Sequence, residues 1–471
     1  MNKTKIIVTI GPATSSEEII KNLIINGVDV VRLNMSYSDT TFCTDIINKV
    51  NKLNQELKTY IAVMIDLKGP IVKINTFATG HAFLKLNDKI RIFTTPVVGD
   101  NTKFSVDYPN LIDDVDYNTI IKIDDGNVIL EVIDKGNDYL ICQVIKDGIV
   151  SDNKTLNIPN VKLSKPFLSD EDKKIIKYAH EFKVDFLALS CVFSFEDILE
   201  VNDLLINLGN DHMQLISKIE NQAAIDDVDN IIRVSDGVMI ARGDLGVEIP
   251  IEKIPGIQKK IITKCHSAGV ISIVTTELMN TMINVNKPTR AEVSDIANAV
   301  IDGTDGIMLC GETTIGKYPV ETLKMMEKII KAAEEDINYN YLIENAAKTE
   351  KKDTTGSLVY SVAGCANRLQ CKAIFTPTIS GFTAKKMSRF RPSCPIIAIS
   401  PNLNTVKSLT LNFGVYPILI DDLKSLDTII ERSKKIAQDV LKLESKDTII
   451  ITGGYPFKTV KHTNFMKIEE I

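Results

Sequence analysis

The sequence predicts an α/β protein: a closed (β/α)8 TIM barrel with an inserted all-β lid domain, followed by a C-terminal doubly wound α/β domain. Three observations predict it. Short apolar runs alternate with helical patterns through most of the first 342 residues, as in βα units. One long stretch within them changes to strand-and-turn composition. After residue 342 a second, shorter βα alternation begins.

The barrel strands are expected at Lys5–Ile10, Val28–Leu33, Ile61–Asp66, Phe186–Ser190, Gln214–Lys218, Gly237–Ala241, Ile271–Thr275 and Gly306–Leu309. Each is a short apolar run, the signature of a parallel strand buried on both faces. Helical periodicity is clearest over Glu17–Asn26, Asp170–Phe182 and Arg290–Ile301. Residues 1–70 and 164–342 would form the barrel, residues 71–163 the insert and residues 343–471 the last domain. The insert carries turn signals at Gly99-Asp100-Asn101, Asp124-Asp125-Gly126, Lys135-Gly136-Asn137 and Asp147-Gly148, which predict short strands joined by hairpins. It leaves the barrel at a βα loop, the catalytic end, where a domain can close as a lid. After a charged stretch at Tyr341–Thr354, the last domain is expected to hold helix Thr355–Leu369. Its strands are expected at Ala373–Thr376, Ile396–Ser400, Val415–Leu419 and Thr448–Ile451.

Bulk properties narrow the function. At 471 residues the chain exceeds one ordinary core. A net charge of −6 without a long basic run gives no nucleic-acid footprint, and no window has the length of a membrane span. The eight cysteines form no CxxC pair, so reduced, packed thiols and a cytoplasmic location are expected. The five histidines are scattered, which argues against a histidine-ligated metal.

The chemistry is concentrated at strand ends. In Ile216-Ser217-Lys218-Ile219-Glu220-Asn221, Lys218 and Glu220 are two apart and share one side of an extended chain. Asp244 follows the next strand in Ala241-Arg242-Gly243-Asp244-Leu245-Gly246. One ammonium and two carboxylates at adjacent strand ends suit an oxyanion and a divalent metal. The N–H groups of Gly243 and Asp244, at a helix start, suit an anionic carboxylate. Arg32, Asn34 and Ser36 share a face of the second strand. Arg32 can fork onto a phosphate, and Asn34, Ser36 and Asp66 can form an oxygen cage for a monovalent cation. Thr276, after the seventh strand, can relay a proton through a water, although such a hydroxyl is more often structural. Lys287-Pro288-Thr289-Arg290-Ala291-Glu292-Val293-Ser294-Asp295 and Gly311-Glu312-Thr313 read equally as subunit contacts or as support for the site. In the last domain Thr378, Ser380, Gly381 and Thr383 surround a helix start. They carry more hydroxyls than one cap needs, which suits a phosphate.

Together these stretches, with Thr4-Lys5-Ile6-Ile7-Val8-Thr9-Ile10-Gly11-Pro12 and Val31-Arg32-Leu33-Asn34-Met35-Ser36, resemble the pyruvate kinase family along nearly the whole chain. The resemblance implies Mg2+-dependent phosphoryl transfer from phosphoenolpyruvate to ADP, and commonly a homotetramer. It implies that Lys218 stabilises the transferring phosphoryl group and enolate oxygen, and that Glu220 and Asp244 hold Mg2+. Arg32 would contact the phosphoryl group, Gly243 and Asp244 the substrate carboxylate, and Thr276 the face where the enolate is protonated. Asn34, Lys73 and Lys154 match nucleotide-binding positions. Asn34, Ser36, Asp66 and the Leu67 carbonyl match a K+ cage. The Thr378–Thr383 loop would take a sugar-phosphate or other phosphate effector. A competing expectation is a weakened paralogue that binds sugar phosphates and regulates. Another is a different barrel enzyme acting on phosphoenolpyruvate or a 2-oxo acid, which would lack the lid and third domain.

Five positions depart from the family pattern: Tyr37 for a histidine, Ile71 for a glutamate linked to K+ dependence, Lys73 for an arginine, Phe193 for an arginine and Glu277 for a glutamine. Ile71 and Phe193 remove one acid and one base, so the two losses are expected to compensate, since either alone would strand a charge. Ile71→Glu and Phe193→Arg should each lower activity, and the double variant should recover part of it. A double variant no better than the singles removes the coupling.

Overall fold

The computed structural model describes residues 1–210, 212–350, 352–423, 425–456 and 462–471. Its largest unit is a closed barrel of eight parallel strands: β1 (Lys5–Thr9), β2 (Val30–Asn34), β3 (Ala62–Asp66), β4 (Phe186–Leu189), β5 (Gln214–Ile219), β6 (Gly237–Ala241), β7 (Ile271–Thr275) and β8 (Gly306–Leu309). Each lies within two residues of its expected bounds. Every residue of these strands is buried except the partly buried Asn34, which is why they read as unbroken apolar runs rather than alternating ones. The inward layer is filled by side chains such as Ile7, Met64, Phe186, Ile216, Met239 and Met308, a packed core rather than a pore.

Between β3 and β4 the chain builds a seven-stranded sheet and a two-stranded sheet around a separate core that includes Leu84, Ile92, Phe104, Leu130 and Leu140. Two turn signals make the expected hairpins. Val128–Lys135 pairs antiparallel with Ile120–Ile123 across Asp124–Asn127, and with Tyr139–Lys146 across Gly136. The other two do not. Lys89–Phe93 and Lys103–Ser105 pair in parallel across Gly99-Asp100-Asn101. The strand after Asp147, Gly148–Ser151, pairs instead with His81–Leu84. The insert is also not wholly β, since Leu111–Asp114 is a helical turn. Turn residues fix where the chain bends but not which strand it then joins.

The last domain is a five-stranded sheet in the order Val415–Leu419, Ile396–Ser400, Ala373–Pro377, Thr448–Gly453, Phe465–Glu470. Four strands are parallel and the last is antiparallel. That edge strand was not expected, because Phe465-Met466-Lys467-Ile468-Glu469-Glu470 is half exposed and weakly apolar. Cores on both faces confirm the doubly wound arrangement. The charged stretch Tyr341–Thr354 begins within helix Tyr339–Thr349, with Ile343 and Ala346 on its buried side, and the next helix starts at Thr354. Among the described residues no helix is long and apolar enough to cross a membrane.

A fourfold pattern closes the base of the barrel. Asp29, Asp185, Asp236 and Asp305 each stand immediately before an even-numbered strand. Each accepts a backbone N–H from the preceding odd-numbered strand: Ile6 at 2.9 Å, Val63 at 2.8 Å, Leu215 at 3.0 Å and Ser272 at 2.9 Å. The last domain supplies cations to this ring. Lys407 lies 3.4 Å from Asp185. Arg391 Nη1 lies 2.9 Å from Asp305 Oδ1, though without the angle of a hydrogen bond. Lys385 is pulled below its usual range by burial, an effect Asp236 partly offsets. Asp29 instead takes Lys5 of β1, which also sits 4.2 Å from the centre of the Tyr416 ring. Leu411 joins the barrel's inward layer from below. One end of the barrel is thus sealed and charge-matched, which leaves the other for chemistry.

Candidate active site

At the open end, strand register sets the spacing of the polar groups. Asn34 pairs with Asp66, and Asp66 with Ala188, two residues before Ser190. Lys218 pairs with Met239, and Ala241 with Thr275. The strand ends therefore present Arg32, Asp66, Ser190, Lys218, Glu220, Asp244 and Thr276 around one rim.

These side chains form a connected line of alternating charge. The Arg32 guanidinium donates twice to Asp66 Oδ2, from Nε at 2.8 Å and Nη2 at 2.6 Å, and from Nη1 to Thr9 Oγ1 at 3.0 Å. Asp66 Oδ1 accepts from Ser190 Oγ at 2.9 Å and lies 3.5 Å from Lys218 Nζ. Lys218 Nζ donates to Ser190 Oγ at 2.8 Å and pairs with Glu220 Oε1 at 2.8 Å. This contact shows the two-residue spacing placing both side chains on one side. Glu220 Oε2 accepts the Cys191 N–H at 2.6 Å. Glu220 closes β5, and Asn221 caps the next helix through the Ala224 N–H at 2.8 Å. Asp244 stands in the first turn of helix Arg242–Glu248.

Burial makes these charges depend on each other. Burial alone would lower the Lys218 pKa, but Asp66, Glu220 and Asp244 outweigh it and hold the ammonium charged well above its usual range. Burial would raise Asp66, and Lys218 with Arg32 reverses that and keeps it ionised. Asp244 is the exception. Burial, then the neighbouring Glu220 charge, pushes it up to about 7, against the pull of Lys218. A carboxyl raised by a second carboxylate is a site short of positive charge. Among the described residues no group of three or more such side chains clusters, so a cation here would take two protein carboxylates. That fits Mg2+, which binds one or two carboxylates plus phosphates and waters.

A cavity of about 380 Å3 opens over this line. Arg32, Asn34, Ser36, Lys73, Lys218, Glu220, Asp244 and Thr276 line it, as do Asp125, Asn153 and Thr155 of the insert. Ile71 and Phe193 line it too. Lys154 does not line it; its ammonium is held by Asp124 at 2.7 Å, one position from the Lys73–Thr155 pairing. Asn34 Oδ1 accepts the Ser36 N–H at 3.0 Å, so Asn34, Ser36 and Asp66 are neighbours. Both Asp66 oxygens, however, already face cations. Leu67 follows Asp66 and donates its N–H to Ala188 O at 3.0 Å. The Gly243 N–H is taken by Thr276 Oγ1 at 2.6 Å, so a substrate carboxylate would compete with that hydroxyl.

Sequence reasoning missed Ser190, which bridges Asp66 and Lys218, although it ended the expected fourth strand. It also missed Asp125, which reaches the cavity from the insert and carries no local signal. In the last domain the surplus of hydroxyls disappears. Thr378 Oγ1 accepts the Gly381 N–H at 2.9 Å, and Thr383 Oγ1 pairs with Thr463 Oγ1 at 2.9 Å. Of the hydroxyls at Thr378, Ser380 and Thr383 only that of Ser380 is on an exposed residue, beside Gly381 at φ +80°.

Comparison with known proteins matches this architecture from end to end. The family model described as "Pyruvate kinase, barrel domain" matches residues 1–323, and "Pyruvate kinase, alpha/beta domain" matches residues 356–469. The chain belongs to the pyruvate kinase family. It is 40% identical to a pyruvate kinase of Clostridium perfringens, with all of both chains covered. It is 39% identical to one of Sporosarcina psychrophila, covering all of this chain and 81% of that one. A crystal structure of a pyruvate kinase from Cryptosporidium parvum superposes with a TM-score of 0.94 at 31% identity, covering 100% of this chain and 96% of that chain.

A carboxyl held above its unfolded value makes the folded chain less stable as pH rises through its range, and a bound cation reverses this. For Asp244, held at about 7, Mg2+ should therefore raise the thermal midpoint more at pH 8 than at pH 6. Scanning fluorimetry with and without MgCl2 checks it, and equal shifts at both values would remove Asp244 from the cation site.

Proposed function

We propose that this enzyme transfers the phosphoryl group of phosphoenolpyruvate to ADP, giving pyruvate and ATP. The observation that carries the reading is the buried ammonium of Lys218 set against Glu220, with Asp244 raised beside them. Phosphoryl transfer between polyanions needs fixed positive charge more than a covalent partner.

The residues divide the work by charge. Arg32, already oriented by Asp66, points its guanidinium at the phosphoryl oxygens. Lys218, kept charged, faces the transferring phosphoryl group and the enolate oxygen left behind. Glu220 and Asp244 would hold Mg2+, which when bound neutralises phosphoryl and carboxylate oxygens. The Gly243 and Asp244 N–H groups bind the substrate carboxylate, displacing the Thr276 hydroxyl from Gly243. The phosphorus–oxygen bond of phosphoenolpyruvate breaks as one forms to the terminal oxygen of ADP. The enolate then takes a proton at carbon, delivered at the Thr276 face. Asn34, Lys73 and Lys154 would bind the nucleotide, Lys154 by leaving Asp124. Seating the insert over the cavity excludes water that would hydrolyse the phosphoryl group.

K+ at Asn34, Ser36, Asp66 and the Leu67 carbonyl belongs to the same reading. Its support is the adjacency of those residues, set against an Asp66 already facing Arg32 and Lys218. A phosphate effector at Thr378, Ser380, Gly381 and Thr383 rests on Ser380 and the helix start alone. The homotetramer rests on family membership. No observation favours the regulator reading: Tyr37, Ile71, Lys73, Phe193 and Glu277 leave the Lys218, Glu220 and Asp244 constellation intact.

A coupled assay of pyruvate formation from phosphoenolpyruvate, ADP and Mg2+ tests the reading. Turnover that disappears without ADP supports it, and no turnover with or without K+ refutes it. Lys218→Met should lower kcat on the order of 10²–10³-fold, with the KM for phosphoenolpyruvate changing far less. Unchanged turnover would take Lys218 out of the mechanism.

A further inference from the structure

The loop that follows β7 holds two consecutive left-handed residues that are not glycine: Thr276 at φ +70° and Glu277 at φ +53°. For a β-branched threonine this is a strained conformation that persists only where the surroundings enforce it. Three charged side chains tie the loop down. Glu312 accepts the Met279 N–H at 3.0 Å and Glu292 the Thr281 N–H at 2.8 Å. At the strained residue itself, Arg242 Nη2 donates to Thr276 O at 2.9 Å, and Arg242 Nη1 donates to Asp295 Oδ1 at 2.7 Å. Thr276 Oγ1 donates to Thr275 O and accepts from Gly243 N, both at 2.6 Å.

Arg242 and Asp295 do not line the cavity over Lys218 but an adjoining one of about 660 Å3 that shares Asp125, Asp244 and Thr276 with it. Arg242 is the first residue of the helix that carries Gly243 and Asp244. Asp295 lies in helix Arg290–Ile301, which is anchored by the Thr289–Glu292 capping box. The fork thus joins three elements that meet at Thr276.

We propose that Arg242, locked by Asp295, is a positioning residue that holds Thr276 in its left-handed turn so that the hydroxyl stays at the face where the enolate is protonated. The inference rests on the functional reading above for the role of Thr276. Releasing the carbonyl lets residue 276 relax to ordinary backbone and carries its hydroxyl off the face where the enolate is protonated. Proton transfer at the methyl carbon is then slowed, while the charges that bind the phosphoryl group are untouched.

By microscopic reversibility, the same proton leaves the pyruvate methyl group in the reverse direction. Deuterium uptake into that methyl from D2O, with pyruvate, Mg2+ and ATP, reads the step by NMR. Asp295→Ala and Arg242→Lys should slow the uptake by about tenfold or more, the scale of a small misplacement of a reacting group. The KM for phosphoenolpyruvate should stay within about twofold. Asp295→Asn, which keeps an acceptor, should recover most of the rate. Uptake unchanged, or uptake and kcat/KM falling together with the folded fraction, overturns the proposal. If the unaltered enzyme forms no pyruvate, the functional reading fails instead, and a crystal structure of Asp295→Ala decides the positioning. A relaxed, negative φ at Thr276 supports it, and a retained left-handed turn overturns it.

Discussion

The site depends on one buried amine. Lys218 is nearly sealed from solvent, yet it is held charged by acids at the ends of β3, β5 and β6 and reaches Ser190 and Glu220 at 2.8 Å each. In so dry a position the amine, its acids and Arg32 cannot be treated singly. Removing one member strands a charge on the next, a cost of about 3–5 kcal/mol for a buried pair. The line runs from Arg32 through Asp66 and Lys218 to Glu220 and ends at Asp244, the one member without enough positive charge. That imbalance, at the end of an otherwise matched row, is what supports proposing an external cation there.

The fold keeps stability and reactivity at opposite ends of the same strands. At the base, four aspartates staple odd strands to even ones, and three of them receive cations from the last domain. At the rim, the strands end in groups whose charges are matched only with ligands present. This division is the general logic of a closed parallel barrel, in which loops after the strands vary in chemistry while the opposite face holds the sheet together. The insert lies over the rim and supplies Asp125, Asn153 and Thr155 to the cavity, so the pocket is completed only when two separately cored units meet.

Much of this was legible in the sequence because burial on both faces gives a barrel strand an unmistakable apolar run. Lys218 and Glu220 could be paired from their spacing, since period two puts alternate residues on one side of a strand. Less local features were not legible. The base ring repeats in the sequence as an aspartate before every second strand, but its meaning depends on cations far along the chain, such as Lys407 for Asp185. The parallel pairing across Gly99-Asp100-Asn101 and the edge strand Phe465–Glu470 depend on which neighbour a strand finds, which turn residues do not specify. The hydroxyls of Thr378 and Thr383 looked available because their partners, the Gly381 N–H and Thr463, are set by tertiary packing. The left-handed Thr276 has no sequence signal, since nothing in Thr275-Thr276-Glu277 announces positive φ.

Glu220 and Asp244, proposed here as a cation site, should bind with a strength set by the neighbouring ammonium. Electron paramagnetic resonance of Mn2+ titrated into the purified enzyme measures this without substrate. Glu220→Gln and Asp244→Asn should each weaken binding by about tenfold or more. Lys218→Met should bind Mn2+ at least as tightly as the unaltered chain, because the competing positive charge is gone. Binding that survives loss of either carboxylate, or that weakens when the lysine is removed, would contradict the proposed site.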